Sequence, residues 1–191
     1  DFTLKSGRNS PYFFNAAKML NTKFLADLSE CYTKTLQELD VSFDSIYGPA
    51  YKGIFLASII GTSLGESDLD IPISFNRKEE KDHGEGGDII GQLPSGNVLI
   101  VDDVISAGTA ARESIEKIKS IGANPKVMLV GLDRQEKGSS EISAKAELEN
   151  DFGLTVSSIV NLDLLISFVS DDPNFKEFKS DLEEYRSNWG A

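Results

Sequence analysis

VLIVDDVISAGTA, Val98 to Ala110, sets four consecutive apolar residues directly before two carboxylates and a turn of small residues. A strand covered on both faces is continuously apolar rather than alternating, so Val98, Leu99, Ile100 and Val101 read as a central strand of a parallel sheet. Ligands bind outside the carboxyl ends of such strands. Asp102 and Asp103 leave the strand there as hydroxyl acceptors. Beyond them Val104 and Ile105 lead into Ser106, Ala107, Gly108, Thr109 and Ala110, small enough for backbone N–H groups to close around an anion at the first turn of a helix. The two halves together suit a phosphorylated sugar.

Outward from this segment, helix and strand alternate, which is the order of a sheet flanked by helices. Asn21 to Leu39 has helical periodicity, Ser45 to Tyr47 forms a short strand ending at Gly48-Pro49, and Tyr51 to Leu64 is a second helix. Ile71 to Phe75 is the next strand. After the signature, Ala110 to Ile121 is an amphipathic helix stopped by Gly122, Lys126 to Leu132 and Val156 to Val160 are strands, and two helices close the chain. Between Asn76 and Asp88 the pattern breaks into NRKEEKDHGEGGD, expected to be a mobile loop.

The 191 residues suit one domain, with 40% hydrophobic and 26% charged residues and no apolar stretch long enough to cross a bilayer. The single cysteine, Cys31, cannot form an intramolecular disulfide and is expected to pack within the helix, which fits a cytoplasmic setting. Residue 1 is Asp rather than Met and abuts an informative segment, so an upstream portion is expected. A net charge of −12 disfavours nucleic acid as a partner. An acidic chain with an acidic substrate must rely on a few placed cations, helix N-termini and a divalent metal. Within Asn76 to Asp88, three cations (Arg77, Lys78, Lys81) stand against four acids before Asp88 (Glu79, Glu80, Asp82, Glu85), so the cations must act by position.

At every position Val98 to Ala110 resembles the 5-phosphoribosyl 1-pyrophosphate (PRPP) signature of the type I phosphoribosyltransferases. FTLKSGRNSPYFFN at Phe2 to Asn15, YGPAYKG at Tyr47 to Gly53, LDRQE at Leu132 to Glu136 and the loop FNRKEEKDHGEGG are similar to the orotate-using branch of that family. The resemblance implies an α/β fold with a central, mostly parallel sheet flanked by helices, a small hood and a mobile catalytic loop, residues 1–191 forming one domain that lacks the family's first helix. By the same resemblance Lys5, Tyr51, Lys52, Arg77, Lys78, Lys81 and His83 contact PRPP, with Lys81, Arg77 and His83 stabilising the leaving pyrophosphate. Phe13, Phe14, Ser106 and Arg134 contact orotate. It further implies Mg2+ held mainly by substrate oxygens and water near Asp102 and Asp103, and a homodimer whose loop completes the neighbour's site.

Each element has a plainer alternative: Phe13 and Phe14 as core, Arg134 as a structural salt bridge, Lys52 as a surface lysine in a tight turn. The chain departs from the family pattern at Ala17, Lys18, Met19, Glu80 and Ser106. Glu80 adds a negative charge beside Lys81, while Ser106 keeps a hydroxyl. A transferase for another base and a non-catalytic PRPP sensor are the rival readings.

Overall fold

The structure, a computed structural model, describes residues 2–4, 6–81 and 87–191, with only the backbone of residues 79–81 and 87. A small antiparallel pair, β1 (Phe2–Thr3) and β2 (Asn9–Ser10), precedes the main body. Then follow α1 (Thr22–Leu39), β3 (Ser45–Gly48), α2 (Lys52–Gly65), β4 (Ile73–Lys81), β5 (Gly87–Gly91), β6 (Asn97–Ile105) and α3 (Thr109–Ser120). The chain continues through β7 (Asn124–Asp133), α4 (Ala144–Phe152), β8 (Thr155–Asn161), α5 (Leu162–Asp171) and α6 (Lys179–Trp189).

Six strands form the main sheet in the order β5-β4-β3-β6-β7-β8, parallel throughout except for the antiparallel edge strand β5. From β3 the chain moves through α2 to β4 on one side; from β6 it moves through α3 to β7 on the other. The direction of winding therefore reverses between β3 and β6, and the crevice at such a switch point is where parallel α/β sheets bind ligands.

Val98, Leu99, Ile100 and Val101 are each fully buried. Leu99 and Val101 pack with Tyr32 and Leu36 of α1 and Leu56, Ala57 and Ile60 of α2. Val98 and Ile100 face the opposite layer, against Ile115 and Ile118 of α3 and Leu148 of α4. Burying each such side chain contributes about 1.5–3 kcal/mol, which anchors β6 firmly between the two layers. Tyr32 Oη donates to the Asp102 carbonyl at 2.9 Å, tying α1 to the strand end that carries the carboxylates.

Two expectations are corrected. The span Asn76 to Asp88 is not wholly a loop, because β4 runs on to Lys81 and β5 begins at Gly87, with Phe75 opposite Ile90 and Asn76 opposite Ile89. An edge hairpin tolerates charged side chains on a solvated face, so composition alone mimics a loop. Within that span only residues 82–86 lie outside the description, and the mobile-loop expectation there is untouched. Cys31 is exposed rather than packed, since Ser29, Tyr32, Thr33 and Leu36 form the buried face of α1.

Gly53, in the first turn of α2, lets that helix lie against the sheet. A Cβ there would sit 2.6 Å from Pro49 Cδ, 2.7 Å from the Gly48 carbonyl carbon and 2.8 Å from the Val101 carbonyl oxygen. Backbone atoms cannot step aside cheaply, so Gly53→Ala is expected to lower stability by about 1–3 kcal/mol. Urea denaturation checks this; an unchanged midpoint contradicts the close approach.

Candidate active site

The strand ends at the β3/β6 switch carry the expected groups. Asp102 and Asp103 lie within β6, which runs on to Ile105 with Asp102 opposite Val130 of β7, so a strand rather than a turn carries them. The Asp102 carboxylate accepts from the Asp103 N–H at 2.9 Å. Asp103 is buried, and its Oδ2 accepts from Lys52 Nζ at 2.5 Å. Lys52 opens α2, so this ion pair spans the crevice between β3 and β6.

Two aromatic rings extend the cluster. Lys52 Nζ also lies 5.8 Å from the centre of the Phe13 ring, which is half exposed and packs on Phe2. Phe14 is partly buried, its ring beside Gly131 of β7. Phe13 is thus not core, as an aromatic pair alone suggests. Tyr51 is exposed and carries Lys78 Nζ 5.0 Å above its ring, bringing the β4 hairpin to the turn after β3. Asn76 fastens that turn, its Oδ1 accepting from Ala50 N–H at 2.6 Å. Arg77 Nε is buried without a hydrogen-bond partner among the described residues.

The helix that follows β6 is shaped for an anion. Gly108 sits at its N-cap with φ +83, a left-handed conformation glycine adopts without strain, and no side chain caps the end. By contrast, Asn21, Ser143 and Asn161 cap α1, α4 and α5. α2, which starts at Lys52 on the other side of the crevice, is likewise uncapped. Uncapped N–H groups and the positive ends of both helices therefore converge on the site.

A phosphoribosyl transferase domain matches residues 17–148. Over all 191 residues the chain is 47% identical to an orotate phosphoribosyltransferase of Marinobacter nauticus and 49% identical to one of Pseudomonas savastanoi pv. phaseolicola, spanning 90% of each. This chain belongs to the orotate phosphoribosyltransferase family. The crystal structure of the orotate phosphoribosyltransferase of Francisella tularensis superposes with a TM-score of 0.80 at 37% identity, covering 100% of this chain and 92% of that one.

Against the family pattern, the structure brings together Phe13, Tyr51, Lys52, Lys78 and Asp103, with Asp102 and Ser106 to Ala110 at the adjoining strand end. Lys5 and His83 lie outside the described residues, as does the side chain of Lys81, whose backbone ends β4. Arg134 stands apart in one respect. Its guanidinium is buried, and two of its three nitrogens are engaged: Nε donates to Glu136 Oε1 at 2.5 Å, and Nη2 donates to Ser10 Oγ at 2.8 Å and Tyr185 Oη at 3.1 Å. A bidentate grip through both terminal nitrogens is therefore not open in this arrangement, and Nη1 is the donor left. Sequence reading passed over Arg8, Ser10, Glu136 and Tyr185, although LDRQE itself contains the acid.

Burial pushes the Asp102 carboxyl up to about 7, and the neighbouring Asp103 adds to the shift. A carboxyl whose folded pKa is raised stabilises the fold fully below its unfolded value, and that contribution is lost as pH rises through the folded value. Asp102→Asn cannot ionise. Relative to this variant, the wild type is expected to lose about 2–4 kcal/mol between pH values of roughly 4 and 8, measured by denaturation without ligand. Parallel stability curves contradict the shift.

Proposed function

We propose that this chain transfers the 5-phosphoribosyl group from PRPP to N1 of orotate, giving orotidine 5'-monophosphate and pyrophosphate for pyrimidine synthesis. The observation that carries this reading is the Lys52 contact set: one ammonium touches Asp103 and lies by Phe13, so ribose acceptors, pyrophosphate cation and a slot for a flat base are contiguous. Asp102 and Asp103 accept the ribose 2'- and 3'-hydroxyls. The uncapped turn from Ser106 to Ala110 takes the 5'-phosphate. Tyr51, Lys52, Arg77 and Lys78, joined by Lys5, Lys81 and His83, surround the pyrophosphate. Orotate lies against Phe13 and Phe14, with its carboxylate toward Arg134 and a hydroxyl contact from Ser106.

In this geometry the bond from the anomeric carbon to pyrophosphate breaks as orotate N1 bonds to that carbon from the opposite face, with inversion, and the N1 proton passes to an oxygen of the departing pyrophosphate. No protein nucleophile takes part. Catalysis comes from holding the two substrates in line and from cations placed where charge grows on the leaving group. Lys81 is the first such cation, with Arg77 and His83 beside it.

A magnesium ion fits the donor set, since Asp102 and Asp103 supply hard oxygens at the strand end; on this reading the ion would be held mainly by substrate oxygens and water near them. When bound, Mg2+ neutralises pyrophosphate charge. The working unit on this reading is a cytoplasmic homodimer in which the mobile loop of one subunit completes the neighbour's site, as the resemblance implies. No helix among the described residues is long and apolar enough to cross a membrane.

Loss of orotate absorbance on mixing with PRPP and Mg2+ tests the reading, with Lys81→Ala slowed on the order of 100-fold or more. No Mg2+-dependent loss by the wild type overturns the proposed reaction, and an equally fast variant overturns the role of Lys81.

A further inference from the structure

The surroundings of Arg134 are more elaborate than a salt bridge needs. Glu136 is buried and has both carboxylate oxygens engaged: Oε1 accepts from Arg134 Nε at 2.5 Å and from Tyr185 Oη at 2.7 Å, and Oε2 accepts from Arg8 Nη1 at 2.8 Å. Two guanidiniums therefore share one carboxylate in direct contact. Splitting one carboxylate between two arginines leaves Arg134 Nη1 without a carboxylate partner of its own.

Every contact to Arg134 restricts it to one pose. Tyr12 lies flat beneath the guanidinium, 3.9 Å from Cζ to the ring centre, and Tyr185 flanks it at 5.3 Å. The two rings meet edge to face with centroids 5.9 Å apart. Tyr185 Oη bridges both partners, accepting from Arg134 Nη2 and donating to Glu136 Oε1. Meanwhile the Arg134 N–H donates to the Ile105 carbonyl at 3.1 Å, so the backbone that carries the arginine is fastened to the end of β6.

We propose that Glu136 and Tyr185 are positioning residues that select the carboxylated base, holding Arg134 so that Nη1 remains for the orotate carboxylate. This rests on the reading of Arg134 as an orotate contact. Specificity then depends on the C-terminal helix α6, which carries Tyr185, as well as on the strand-end loop.

Steady-state kinetics with each substrate varied in turn, together with thermal denaturation, test the assignment. Tyr185→Phe keeps the ring and removes the hydroxyl; it is expected to raise the KM for orotate roughly five- to tenfold while leaving the KM for PRPP within about twofold. Glu136→Gln keeps the shape and removes the charge that fixes Nε, with the same selective loss and a lower Tm. An unchanged orotate KM in Tyr185→Phe, or orotate and PRPP constants that rise in parallel with the loss of Tm, overturns the positioning role. A wild type that consumes no orotate overturns the functional reading itself, a result distinct from normal turnover with an unaffected variant.

Discussion

Burial of β6 on both faces is the constraint on which the other features of this molecule depend. Because Val98 to Val101 have helices above and below them, the strand cannot slide or rotate, and the residues after Val101 leave the core at a fixed point. Two carboxylates, a glycine in left-handed conformation and an uncapped helix follow within eight residues. The same rigid sheet sets β3 alongside β6, so that the first turn of α2 and the end of β6 face each other across the switch point. Precision of the site is inherited from packing that takes no part in the chemistry.

A chain of net charge −12 that binds a polyanion must overcome its own field locally. Lys52 and Asp103 neutralise one another in the free protein, and Lys78 rests on an aromatic face, so on the proposed reading the cations are stored close to where they would be used. Both uncapped helix N-termini add partial positive charge without any net charge. The raised Asp102 carboxyl is the other side of this economy, since a proton can occupy a buried acid until a substrate hydroxyl or a cation reaches it.

The strongest elements were legible because they obey one rule at a time. Fully buried strands are continuously apolar, and α1 begins at an Asn cap and ends at Asp40. What escaped reading depends on contacts remote in sequence or on weak local signals. α4 is short and highly charged, carried by Ala144 and Leu148 against the core, and β5 is a five-residue edge strand bounded by glycines. The cluster around Arg134 joins residues 124 and 51 positions away, Ser10 and Tyr185, which no local pattern links. Recognition of Phe13 and Lys52 came from family resemblance and that of Asp103 from its place at the end of a buried strand; that they meet in space came only from the fold.

The central claim is that one strand end holds the ribose and the phosphate of PRPP together. Calorimetric titration of PRPP in the presence of Mg2+, comparing the wild type with the Asp102→Asn, Asp103→Asn double variant, tests it most directly. The account predicts binding weakened about 10- to 100-fold in the double variant, as lost charge-assisted hydrogen bonds to two hydroxyls require. Equal affinity of the two proteins for PRPP would contradict it.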